Sequence, residues 1–141
     1  MRTYAIAIAS AAAVAAALLP SVAEAADKPC ANVEGCHLTV LVLTKAHAGF
    51  NPAPPPDNAA LLGCNPTWGW HPQAGEACAT LNSVKGQFEK INVNPHAMCP
   101  MIWNPVTVTA QGWWNGRKVS YEKTFTNSCV LERTTDAVFA F

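Results

Sequence analysis

Six cysteines behind an export signal constrain this chain most: Cys30, Cys36, Cys64, Cys78, Cys99 and Cys129. Ahead of them Arg2 carries a positive charge, Tyr4 to Leu19 is an alanine-dominated apolar run, and Pro20-Ser21 breaks it. Ala23-Glu24-Ala25 then places small residues at the two positions a signal peptidase reads, so residues 1–25 read as a secretory signal peptide cleaved after Ala25. The apolar run is short for a membrane span, which needs about 20 apolar residues. No second run follows, so the mature chain, residues 26–141, is expected to be secreted, extracellular and without a membrane partner. An even cysteine count on an exported domain of this size reads as a disulfide framework. A small domain buries a modest core and gains from covalent cross-links. Many pairings are open to six cysteines. Sequence proximity alone favours Cys30–Cys36, Cys64–Cys78 and Cys99–Cys129.

Charge and composition exclude several functions. Nine basic and nine acidic residues cancel, and loss of the signal removes Arg2 and Glu24 together. Without a cluster of Lys and Arg there is no footprint for a nucleic-acid partner. His37, His47, His71 and His96 match no tight ligand spacing and the cysteines are better used in bridges, so neither a metal nor a cofactor is expected. Ser83, Ser120 and Ser128 lack the pattern around an activated nucleophile, which argues against an enzyme. Asn65-Pro66-Thr67 fails as a glycosylation site because proline fills its middle position.

The chain reads as α+β. His37 to Thr44 is apolar at both alternating sets of positions and predicts a strand buried on both faces. Four prolines within Gly49 to Asp57 force a loop, and Asn58 to Gly63 reads as a second strand leading to Cys64. Ala77, Leu81, Val84, Phe88 and Ile91 recur at helical spacing, predicting a helix over Gly75 to Ile91 in which Gly86 costs about 1 kcal/mol relative to Ala. Asn115-Gly116, flanked by β-type runs from Val106 to Phe125, predicts a hairpin. A helical turn is expected over Val130 to Arg133 and a closing strand over Val138 to Phe141. The sum is an antiparallel sheet with one substantial helix packed on it.

Between the predicted helix and hairpin lies Asn94-Pro95-His96-Ala97-Met98-Cys99-Pro100-Met101-Ile102-Trp103-Asn104-Pro105. Met98, Met101, Ile102 and Trp103 are large and apolar where polar turn residues are usual, three prolines stiffen the backbone, and Cys99 can fasten its middle. Exposed apolar side chains on a rigid loop mark a binding surface. Burial of the same residues in an unrecognised strand is the competing reading, and the residues alone do not decide between them.

From Cys64 to Phe141 the chain resembles the Streptomyces subtilisin inhibitor family. The resemblance rests on Cys99-Pro100-Met101-Ile102 with Asn104-Pro105, on Gly116-Arg117-Lys118-Val119-Ser120-Tyr121-Glu122, and on Phe125-Thr126-Asn127-Ser128-Cys129. Val138-Phe139-Ala140-Phe141, His71-Pro72 and Gly75-Glu76-Ala77-Cys78 also fit. It implies a five-stranded antiparallel sheet with one longer and one short helix, a homodimer through the sheet, and substrate-like inhibition of secreted, subtilisin-like serine proteases. It makes Met101–Ile102 the reactive bond, with Met98, Cys99, Pro100, Trp103 and Asn104 as protease contacts and Asn127 supporting the loop from behind. It also implies the bridges Cys64–Cys78 and Cys99–Cys129. Such a segment suits the role: proteases bind extended backbone with alternate side chains in pockets. Pro100 preshapes the chain, and Met101 is apolar and flexible enough for a hydrophobic primary pocket, in subtilisin-like or chymotrypsin-like enzymes.

Departures from the family pattern are the Cys30 and Cys36 pair, the Pro52 to Pro56 run, and Trp103 where Tyr is frequent. A second reading is a secreted ligand- or carbohydrate-binding module that stacks sugars on Trp68, Trp70, Trp113 and Trp114. For the hairpin pair, Trp113 and Trp114, a place in the core or in a dimer face is favoured.

Overall fold

A computed structural model describes residues 37–47 and 58–141. The expected signal peptide over residues 1–25, Cys30, Cys36 and the proline-rich 49–57 segment lie outside the described residues.

Five strands form one antiparallel sheet in the order β3-β2-β1-β4-β5. They are β1 (Val40–His47), β2 (Asn58–Gly63), β3 (Trp68–Gly69), β4 (Val106–Trp114) and β5 (Arg117–Phe125). The hairpin β4–β5 turns at Asn115-Gly116, both at positive φ as that tight turn demands. It lays β4 along β1, so the sequence-distant halves of the chain share one sheet.

Strand β1 corrects one expectation. Leu41 and Leu43 are fully buried, but Val42 between them is 47 % exposed. The strand is buried on one face because both helices and the C-terminal segment cover the same side of the sheet. Leu41 and Leu43 pair with Leu62 and Ala60 on one flank, and Val106, Val108, Tyr121 and Phe125 extend the buried face across β4 and β5. Burial, with the Glu89 carboxylate nearby, pushes the Tyr121 phenol up to about 12, and its ring stacks on Phe88 at 5.1 Å.

Helix α1 (Ala74–Ser83) is shorter than the predicted Gly75–Ile91 helix. Lys85 and Gly86 adopt φ of 54° and 72°, and the Gly86 amide closes the helix on the Leu81 carbonyl at 2.8 Å. Gly86 is therefore the stop signal rather than a weak interior position: a left-handed residue after the last turn is the usual way to satisfy free carbonyls. The chain then re-enters through a 3₁₀ turn, Phe88–Lys90. Leu81, Phe88 and Ile91 still point inward, with Val84 half-buried, so the apolar stripe was sound although only its first half is helical.

Helix α2 (Ser128–Thr135) is longer than the expected turn over Val130 to Arg133. The expected closing strand over Val138–Phe141 does not form. Asp136, at φ 46°, diverts the chain into a 3₁₀ turn, Asp136–Phe139, whose Ala137, Val138 and Phe139 are buried. A short apolar run without alternation carries no strand period, and here it plugs the space between α1, α2 and β1. Lys45 Nζ donates to the carbonyls of Phe139 and Phe141, and Phe141 meets the His71 ring edge-on at 5.4 Å. Two bridges brace the framework. Cys64–Cys78 ties the end of β2 to α1, and Cys99–Cys129 ties the 92–105 loop to α2, each with Cα atoms 5.7 Å apart.

Candidate functional site

Residues 92–105 connect the 3₁₀ turn to β4 without a helix or strand. Within them Met98 is 96 % exposed, Met101 is fully exposed, and Ile102 and Trp103 are 60 % and 75 % exposed. That excludes the buried-strand reading. Four large apolar side chains stand in water on one loop, the mark of a surface made to be covered by a partner.

The loop is held from behind by one short stretch, Thr126 to Thr134. On its entry limb the Val93 and Asn94 amides donate to the carbonyls of Thr134 and Arg133 at 3.1 and 2.9 Å. Arg133 Nη1 donates to the Ala97 carbonyl at 2.8 Å. In the middle, Cys99 is bonded to Cys129. On the exit limb the Asn104 amide donates to the Thr126 carbonyl at 2.9 Å.

Asn127 holds the centre. Its extended backbone makes it the N-cap of α2, and its Oδ1 accepts the Val130 amide at 3.0 Å. That bond fixes which way the amide faces, leaving Nδ2 toward the loop. Nδ2 then donates to the carbonyls of Pro100 at 3.1 Å and Ile102 at 2.9 Å. The two anchored carbonyls flank Met101, so the Met101–Ile102 peptide is presented outward on a backbone gripped on either side. Aspartate or serine would cap the helix equally well, but neither offers two amide hydrogens. One side chain thus caps α2 and bonds the loop at once.

The structure thus brings together Met98, Cys99, Pro100, Met101, Ile102, Trp103, Asn104 and Asn127. Arg133 was missed. The available signal was its position four residues after Cys129, which places both on one side of α2. The tryptophans do not form one platform. Trp114 is buried beneath Gly86, whereas Trp68 and Trp113 belong to the opposite face of the sheet and Trp70 is exposed just beyond β3. Among the described residues no group of three or more His, Cys, Asp or Glu side chains could hold a metal ion, and no helix is long and apolar enough to cross a membrane.

A braced sheet that holds a short apolar segment rigid and outward defines a protein that acts by presenting a loop. The chain belongs to the subtilisin inhibitor-like family, whose profile matches residues 37–127; it is not an enzyme. It is 43 % identical over 104 residues to subtilisin inhibitor-like protein 4 of Streptomyces lavendulae, covering 73 % of this chain and 90 % of that protein. It is 39 % identical over 104 residues to the subtilisin inhibitor of Streptomyces albogriseolus, covering 73 % and 72 %. Among solved structures it matches Streptomyces caespitosus sermetstatin in complex with Bacillus licheniformis subtilisin, at 34 % identity and a TM-score of 0.63, over 74 % of this chain and 99 % of that one.

Proposed function

We propose that this protein is a secreted inhibitor of subtilisin-like serine proteases that offers Met101–Ile102 as its reactive bond. The observation that carries the reading is the fully exposed Met101 side chain on a segment whose flanking carbonyls are both tied to Asn127. A protease would receive the segment as an added strand, with Met101 in an apolar primary pocket and Met98 in a second one. Cys99, Pro100, Trp103 and Asn104 complete the contact. Since the loop is already shaped, little ordering cost attends binding. If the bond is attacked, Cys99–Cys129 on one side and the Asn104–Thr126 hydrogen bond on the other keep both halves in place. The new amine then stays within reach for religation. An apolar primary side chain also admits chymotrypsin-like enzymes and disfavours those that read Lys or Arg.

Two further parts of the reading concern the chain around the loop. Residues 1–25 are removed on export and 26–141 form the working domain, with Cys30 and Cys36 closing an additional small loop. The open face of the sheet carries Val40, Val42, Leu61, Trp68 and Trp113, an apolar surface suited to a second copy packing sheet to sheet.

The deciding experiment is titration of subtilisin with the purified mature protein, following residual activity. A linear fall to an equimolar endpoint, with a nicked form whose new N-terminus is Ile102, is the expected result. Digestion of the protein while activity persists would reduce the loop to a substrate and return attention to ligand binding by the tryptophans.

A further inference from the structure

We propose that Arg133 is a positioning residue that sets the direction of Met98, and with it the second apolar contact to the enzyme. This rests on the reading of the loop as the protease-binding segment. Asn94 to Ala97 form a turn, closed by the Ala97 amide on the Asn94 carbonyl at 3.1 Å. Arg133 grips that turn at both ends: its backbone carbonyl accepts the Asn94 amide at 2.9 Å, and its guanidinium donates to the Ala97 carbonyl at 2.8 Å. The second bond is charge-assisted and short, the stronger class of hydrogen bond. The same side chain lines the cleft behind Pro100, Met101 and Ile102, beside Asn127 and Val130.

The Ala97 carbonyl belongs to the peptide that enters Met98. At 96 % exposure the Met98 side chain has almost no neighbours of its own, so its direction is inherited from the backbone on either side. The Cys99–Cys129 bridge fixes the following residue, and Arg133 fixes the preceding one. Asn127 orients the reactive bond, and Arg133 orients the limb that leads to it. A cation in the last turn also complements the helix dipole. That role alone would affect stability without coupling Arg133 to Met98.

The test is a double-mutant cycle on subtilisin inhibition with Met98→Ala, Arg133→Ala and their combination, alongside amide exchange at Ala97 in the free protein. Met98→Ala is expected to weaken inhibition about 10-fold in the parent and no more than about 3-fold beside Arg133→Ala, because coupled residues are non-additive. Exchange at the Ala97 amide is expected to accelerate in Arg133→Ala. Equal Met98→Ala penalties in both backgrounds, or unchanged exchange at Ala97, would overturn the proposal. A parent protein that fails to inhibit subtilisin would instead refute the protease-inhibitor reading, and the exchange measurement would still decide whether Arg133 holds the turn.

Discussion

Asn127 Nδ2 lies 2.9 Å from the carbonyl oxygen of Ile102 while its Oδ1, 3.0 Å from the Val130 amide, caps helix α2. One side chain therefore joins the start of a helix to the residue after the exposed Met101. The two jobs separate by substitution. Asn127→Asp retains a capping oxygen but replaces two donated hydrogen bonds with an oxygen facing two carbonyls. We expect it to keep most of the helix-cap contribution of about 1 kcal/mol and to weaken subtilisin inhibition roughly 10- to 100-fold. Parallel thermal unfolding and inhibition titrations check this. Undiminished inhibition would mean that the disulfide alone holds the loop.

Met101→Lys exchanges an apolar primary side chain for a cation at the most exposed position of the loop. The preference for trypsin over subtilisin is expected to rise at least about tenfold, equivalent to about 1.4 kcal/mol of differential binding. Inhibition constants measured against both enzymes decide it, and an unchanged ratio would remove Met101 from the primary position.

Val42 projects from the middle strand on the uncovered face and is 47 % exposed. If two copies pack through that face, Val42→Glu buries an unpaired carboxylate at their interface, which such contacts tolerate poorly. The parent is expected to be a dimer by light scattering and the variant a monomer with its inhibitory loop intact. A monomeric parent would show that the face has another use.

Gly86 and Gly75 make a contrasting pair for stability. A Cβ at Gly86 would lie 2.3 Å from Trp114 Cγ, and the residue's φ of 72° disfavours any side chain. Gly86→Ala is expected to destabilise by about 2 kcal/mol, through overpacking and left-handed strain. Gly75, inside α1, has nothing within 4 Å of its Cβ position, and Gly75→Ala is expected to stabilise by about 0.5–1 kcal/mol. Urea unfolding of both variants measures the difference.

His71 supplies a pH dependence whose sign follows from its partners. The Gln73 amide donates to Nδ1 at 3.1 Å, so the proton sits on Nε2, which donates to the Val138 carbonyl at 3.1 Å. A second proton would have to enter at Nδ1, against that amide. Burial holds the imidazole below its ordinary value, while the bond to Val138 acts in the opposite sense. The unfolded chain thus takes up a proton near pH 6.5 and the native state only at lower pH. This contribution is complete above about 6.5 and is lost as pH falls toward the depressed native value. Thermal midpoints measured down to about pH 5 should fall more in the parent than in His71→Gln; parallel profiles would exclude His71 as a source.

Much of the fold was readable locally. The Asn115-Gly116 hairpin and the loop between Ile91 and Val106 follow from short-range signals: turn chemistry, the β-branched content of Val106 to Phe125, and proline. The apolar composition of Met98, Met101, Ile102 and Trp103 is unusual for a loop but fits an exposed segment or a buried strand equally, and only their exposure selects the first. Errors fell where two outcomes share one pattern. A 3–4 apolar spacing fits a continuous helix or a helix followed by a tight turn, and the close approach of Gly86 to Trp114, distant in sequence, selects the second. An apolar C-terminal run fits a strand or a plug, and the diversion at Asp136 with burial against α1 selects the plug.

The sequence by itself determined the α+β class, the Asn115-Gly116 hairpin and the proline-stiffened segment between Ile91 and Val106, because these depend on residues close together in the chain. Tertiary structure alone decided which sheet face is covered, that Arg133 reaches the Ala97 carbonyl, and that Asn127 holds the carbonyls on both sides of Met101. Those outcomes require groups more than 20 residues apart to meet within hydrogen-bonding distance, and no local period encodes such a meeting.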